Sequence, residues 1–420
     1  MAGVAMAQGT GGSRRILFIR GGSGTGGLGV PNSDDQLSDL FDFSTAAGNH
    51  GFGELGALLT ADGFVVEQMI EGPISNPAPV DLASLPIAQY SVIVFGSNNA
   101  SYSASAALLV RHFVEAGGGA LFISDSNWGL DYGYAPSSDQ TFLDRLDLVM
   151  NQDYGTYTLS RAAGDFVING VDMGTHPILA GPDGIVGTAD DVNEFDGEGV
   201  SPATVTHLLP GVNPFVLAKA KDLIHVNDSS SSGSFRPPTR DDGALVVAQV
   251  GAGRIACTFD RNTFFNTNGQ GTSLARYDNR QYAHNLFAWL AGPLVRTYGA
   301  GKVNSLGLVA EMGWSGNSSA SSANFVVQCT GAVPGNLGLA FYGPSFAQTP
   351  FMGGELLVSG MLVRLPAQVI DPNGGVSYRF AIPAGFVGAA RYFQFWYRDP
   401  FDPAGFGVGL SNGLRACFTP

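Results

Sequence analysis

The stretch FVEAGGGALFISDSN, residues 113–127, decides how the first two thirds of the chain are read. Leu109 and Phe113, with Val110 and Val114, recur at the four-residue spacing of a buried helix face. Gly117, Gly118 and Gly119 stop that helix, and ALFIS follows as a short apolar strand running into the polar turn Asp125-Ser126-Asn127. Helix, glycine stop, buried strand and polar turn are the sequence form of a parallel sheet covered by helices.

The same grammar extends in both directions. Upstream, RILFIR reads as a strand before a Gly-rich loop, FGELGALLTADGF as a helix stopped at Gly63, and FVVEQM and SVIVFG as two more strands. Between about residues 130 and 240 the pattern is less regular, with a helix expected around TFLDRLDLVM, a strand at FVLAKA and an exposed Ser-rich loop at DSSSSGS. Regularity returns with ALVVAQV, a turn at Gly251 to Gly253, the strand RIACTF, and a helix placing Tyr282, Leu286 and Leu290 on one face. After Tyr298 the apolar runs are strand-length and separated by Gly, Pro and Asn, as in NFVVQC, LGLAFYG, VSYRFAI and RYFQFWYR. This predicts an α/β domain over 14–297, with an irregular insertion over about 151–240, followed by an all-β sandwich over 298–420. Residues 1–13 are expected to be disordered or the remnant of a signal peptide, since Ala5-Met6-Ala7 suits a cleavage site although no basic or full apolar region precedes it.

Only 13% of residues are charged, and the formal charge of −14 makes a nucleic-acid partner unfavourable. No apolar run approaches the roughly 20 residues that span a bilayer. Low charge with 59 glycines points to an extracellular or cell-envelope protein. Three cysteines leave at least one unpaired: Cys257 reads as a buried small hydrophobe, while Cys329 and Cys417 are equally compatible with a bridge and with two core thiols.

The series RILFIRGGSG, YSVIVFGSNN, FVEAGGGALFISDSN, GAGRIACTFDRNTFFN and DNRQYAHNLFAWLAG resembles a class I glutamine amidotransferase-like domain. It is most similar to divergent, often non-catalytic members found in bacterial envelope proteins and in gliding and intraflagellar transport proteins. The resemblance covers roughly residues 14–295 and implies a flavodoxin-like parallel sheet flanked by helices. FMGGELLV, RYFQFWYRDP and GLSNGL resemble a β-domain common at the C-termini of secreted bacterial proteins, which implies attachment, sorting or binding.

Catalytic amidotransferases carry a Cys in a G-x-C-x-G elbow after the strand matching ALFIS, and a later His-x-Glu. Here the positions flanking Ser126 are Ser124 and Trp128, those flanking Asp125 are Ile123 and Asn127, and no histidine is followed by Glu two residues on. A rebuilt hydrolase site for an amide, ester or glycoside would draw on Asp125, Ser126 and Asp260, with His176 or His50 as base. The plainer expectation is a polar turn at an ancestral active-site position, in a protein that binds and assembles rather than catalyses.

Three further segments carry expectations. GGSGTGG contains G-x-G-x-x-G after the first strand, but Pro31 and a cluster of turn formers follow where a dinucleotide site needs a helix, and Glu71 is only near the place of a ribose ligand, so no cofactor is expected there. Asp183, Asp190, Asp191 and Asp196 lie in GPDGIVGTADDVNEFDGEG, whose composition fits a structural calcium loop but whose spacing is not that of an EF-hand, so a plain solvated acidic loop is the favoured reading. In RYFQFWYR the aromatics occupy both faces, so the strand is either buried on two sides or exposes a strip suited to a polysaccharide, a cell surface or another copy of the chain.

Overall fold

The computed structural model describes residues 14–22, 30–31, 51–73, 78–96, 100–123, 135–150, 157–197, 203–206, 209, 212, 214–220, 242–266, 273–387 and 389–418. They form two compact units: Ile16–Thr60 with Val66–Gly292, and Pro293–Pro420 with two short N-terminal pieces. The division falls between Gly292 and Pro293, earlier than the expected 297, because VRTY at 295–298 pairs antiparallel with the last strand of the β unit.

The first unit is built on a mixed sheet of ten strands, parallel at its centre and antiparallel toward its edges. In chain order its elements are β1 (Arg14–Gly22), β2 (Val30–Pro31), α1 (Gly53–Ala61), β3 (Phe64–Pro73), β4 (Val92–Gly96), α2 (Ala104–Glu115), β5 (Gly119–Ile123) and α3 (Ala135–Leu143). There follow β6 (Leu148–Met150), β7 (Tyr157–Ser160), β8 (Val167–Ile168), β9 (Val171–Asp172), β10 (Glu194–Gly197), β11 (Ala203–Val205), β12 (Phe215–Lys219), β13 (Asp242–Val250), β14 (Gly253–Thr258) and α4 (Asn279–Ala291). The spatial order is β2-β3-β1-β4-β5-β14-β13-β11-β6, with β12 beside β13. Pairs β1–β4, β4–β5 and β5–β14 are parallel, and β13–β14 is an antiparallel hairpin.

The glycines set this framework. Ser103 caps α2 by accepting from the amide of Ala106, and Gly117 leaves the helix at φ 100°, a conformation that disfavours side chains. Gly119 then lets β5 lie against the backbone of Leu290 in α4, where a Cβ would come within 2.5 Å of that carbonyl oxygen. Phe122, three residues along and so on the opposite face, packs on Phe142 of α3 and Phe95 of β4. Helices therefore cover both faces of a sheet whose central strands are wholly buried, which is why VIVFG and GALFI read as unbroken apolar runs.

The expected helix around TFLDRLDLVM is displaced. Its first residues end α3 and its last ones form β6. Asp147 between them takes a positive φ of 65°, and its buried carboxylate accepts from Thr206 Oγ1 and the Leu209 amide. Those two bonds, to residues 59 and 62 positions along the chain, hold Asp147 in a conformation that the helix cannot continue through.

The second unit contains β15 (Val295–Tyr298), β16 (Glu311–Ser315), β17 (Val326–Thr330), β18 (Leu337–Gly343), β19 (Ser345–Phe351), β20 (Gly354–Ser359), β21 (Val363–Arg364), β22 (Gln368–Val369), β23 (Val376–Arg379), β24 (Ala390–Arg398) and β25 (Val408–Cys417). A six-stranded antiparallel sheet, ordered β15-β25-β24-β18-β21 with β22 beside β18, and a three-stranded sheet, β16-β17-β23, enclose one core. Phe393, Phe395 and Tyr397 of β24 point into it. On the other face, Tyr392 and Gln394 are also buried, beneath the β19–β20 hairpin: Gln394 accepts from the Leu357 amide and donates to the carbonyls of Glu355 and Ser411. The aromatic strand is thus buried on two sides, and it offers no exposed strip. All three cysteines are buried free thiols, with Cys329 in β17 and Cys417 in β25, strands of different sheets.

Candidate functional site

Asp125, Ser126 and His50 lie outside the described residues. Asp260 lies just past the carboxyl end of β14, fully buried, where it accepts from the Asn262 amide at the start of a short 3-10 turn and packs against Gly197. Neighbouring Asp196 is also buried and is held by Asn279 Nδ2 at 2.9 Å and Arg276 at 3.2 Å. His176 stands at the other end of the strand. Its ring contacts Trp289 near the end of α4, and Arg254, the second residue of β14, lies over the same indole. Six residues of extended chain separate Arg254 from Asp260, about 20 Å. His176 and Asp260 are not brought together.

The environment of His176 opposes proton transfer near neutrality. Burial first, and then the charge of Arg254, lower its pKa from 6.5 to about 4, while Nδ1 accepts from the Ile178 amide. The sign follows from the neutral form being favoured in the folded state. Its contribution to stability is complete above pH 6.5 and is lost as pH falls toward 4. NMR titration is expected to place the imidazole transition near pH 4, and His176→Gln is expected to flatten the loss of stability between pH 6.5 and 4. A transition near 6.5 would contradict the buried placement.

The four acidic candidates for calcium are engaged individually. Asp183 caps the Ile185 amide, Asp190 accepts from Thr188 Oγ1, Asp191 accepts from the Gly187 amide, and Asp196 bonds Asn279. Among the described residues no three His, Cys, Asp or Glu side chains gather as a metal-binding group.

A built surface occurs instead at one end of the β unit, where three loops meet. They are the turn after β15, the β19–β20 turn and the 399–407 loop joining β24 to β25. Lys302, 4% exposed at its side chain, bonds Asp402 Oδ2 at 2.6 Å and the carbonyls of Met352 and Val408 at 2.8 and 2.9 Å. One ammonium therefore ties all three loops, with each of its protons used. Asp402 also accepts from the amides of Ala404 and Phe406, Asp399 accepts from the Ser305 amide, and Asn304 Oδ1 accepts from Leu306 and Leu308.

On this polar footing the loops display apolar side chains. Phe401 is 85% exposed and Phe406 58%, with Leu306, Val303 and Leu308 all above half and Met352 at 40%. The same three loops enclose an open hollow of about 490 Å³ lined by Lys302, Val303, Gly353, Glu355, Pro403 and Ala404 among others. Lys302 lies 5.4 Å from the centre of the Phe406 ring, holding that ring from below. Clustered exposed hydrophobes on a rigid scaffold are the mark of a binding face.

The exposed rings of this domain lie outside RYFQFWYR, whose burial on two sides was one of its two expected readings. The available signal was RDPFDPAGFG, in which two Asp-Pro turns and two glycines flank phenylalanines that no strand pattern requires.

No family model matches the chain, and no curated protein matches it. Among solved structures it is similar to the mmIFT52 N-terminal domain, at 12% identity and a TM-score of 0.39, covering 66% of this chain and 98% of that one. It is also similar to cytoplasmic protein STM3548 from Salmonella typhimurium, at 16% identity and a TM-score of 0.34, covering 65% of this chain and 98% of that one. Cytoplasmic protein STM1381 from Salmonella typhimurium LT2 matches at 17% identity with a TM-score of 0.34, covering 66% of this chain and 97% of that one.

Proposed function

We propose that this chain is a secreted or surface-exposed bacterial binding and assembly protein. In this reading a catalytically degenerate amidotransferase-like domain accompanies a C-terminal β domain that makes the contacts. The strand order β3-β1-β4-β5-β14 supports a flavodoxin-like, doubly wound sheet, since it has the 2-1-3-4-5 pattern of that fold. The missing His-x-Glu and the distance of His176 from Asp260 favour binding over hydrolysis.

One observation carries the reading: six exposed apolar residues stand on loops fixed by the buried Lys302–Asp402 pair, beside an open hollow that Val303 helps to line. Preorganised loops lose little entropy on binding, so rings held this way are effective anchors. Glu355 is the one lining side chain left to hydrogen-bond a ligand, which favours an apolar partner surface over a sugar. Among the described residues no helix is long and apolar enough to cross a membrane.

Sedimentation of the full chain with bacterial envelope fragments tests this. The wild type is expected to pellet with them, and Phe401→Ser/Phe406→Ser to lose at least about tenfold in affinity with an unchanged melting temperature. A wild type that stays in the supernatant at every concentration would overturn the reading.

A further inference from the structure

We propose that the loop end of the β unit is the interface of a symmetric homodimer, in which Phe401 of each copy enters the cavity of the other. This rests on the reading of that end as the binding face and names its occupant. A two-fold contact requires that projection and hollow lie on the same surface, so that each can meet its counterpart. Phe401, 85% exposed, and Pro403 and Ala404, which line one side of the hollow, belong to one loop, so projection and hollow adjoin each other as that requirement asks. If they lay on different faces, the contact would propagate as an open chain.

Area and charge fit a second copy. Phe401, Phe406, Leu306, Val303, Leu308 and Met352 together expose roughly 600 Å², against the roughly 800 Å² per side of a standard interface, leaving a modest rim for backbone and polar atoms to supply. A chain of formal charge −14 repels its own copies over most of its surface. Here the charges are withdrawn: Lys302, Asp399 and Asp402 are buried and satisfied in part by one another, and Glu355 is the acidic side chain lining the cavity. The association is therefore expected to strengthen with added salt, because salt screens the remaining repulsion and leaves the apolar contact in place.

Sedimentation equilibrium of the full chain from about 1 to about 100 µM tests it. The expected result is a monomer–dimer equilibrium within that range, tighter at high salt. Phe401→Ser/Phe406→Ser should weaken it at least about 30-fold at unchanged melting temperature. Met361→Ser is the control: Met361 is 82% exposed but follows β20 at the end away from the Met352 turn, so the dimer should persist. A wild type that remains monomeric throughout, or a dimer indifferent to the double substitution, overturns the proposal. A monomer that still pellets with envelope fragments overturns the dimer alone, and a monomer that does not pellet overturns both readings.

Discussion

Replacing Lys302 by methionine is expected to cost about 3–5 kcal/mol and to release all three loops at this end of the β unit. The stem of the side chain is preserved, so packing changes little and the effect isolates the ammonium. Without it, Asp402 remains as a carboxylate with a side chain that is 0% exposed, and the carbonyls of Met352 and Val408 each lose a donor. Urea unfolding should show the loss directly. Lys302→Met/Asp402→Leu should recover part of it, because removing both charges relieves the unpaired one. A single substitution costing less than about 1 kcal/mol would mean that the pair is not the pin described here.

The same pair gives an acid limb to the stability profile. Burial alone would raise the Asp402 pKa, but the Lys302 bond, the amides of Ala404 and Phe406 and the lysine charge outweigh it and hold the carboxyl below its ordinary value. A depressed carboxyl contributes in full above its unfolded pKa, about 3.9, and loses that contribution as pH falls through the folded value. Its stabilisation should therefore persist to about pH 4 and decline below it, in a region where His176 has already given up its own contribution.

The parts of the molecule that were legible in the sequence are those whose chemistry is local. VIVFG and GALFI are unbroken apolar runs because both faces are covered, and Gly63 and Gly117 end helices in conformations that favour glycine. The helix expected around TFLDRLDLVM failed because Asp147 finds its partners at Thr206 and Leu209, far along the chain. The three-loop end of the β unit was hidden for the same reason. Lys302 and Asp402 are separated by 100 residues, and neither LysVal nor AspPro announces a buried pair. RYFQFWYR drew attention because it is aromatic, whereas the exposed rings sit in the turn beside it.

Gly253→Ala is expected to rank with Lys302→Met among the most damaging substitutions, costing upwards of about 4 kcal/mol. A Cβ at this position would stand well inside contact distance of the carbonyl oxygens of Val114 and Gly118, and backbone cannot swing aside as a side-chain tip can. The crowding is built in by hydrogen bonds: Ala252 donates to Glu115, and Arg254 to Gly118 at 3.2 Å, so the start of β14 is clamped to the turn between α2 and β5. Moving it away would break the parallel pairing of Arg254 with Gly119 and every pair that follows to Thr258 and Ile123. Gly313→Ala, in β16 with open space about its Cα, should change stability by no more than about 0.5 kcal/mol. If Gly253→Ala were as mild, the close approach would be false. The GGG and GAGR segments that carry the amidotransferase resemblance thus meet each other across one packed joint, and their glycines are explained by sterics with no reaction invoked.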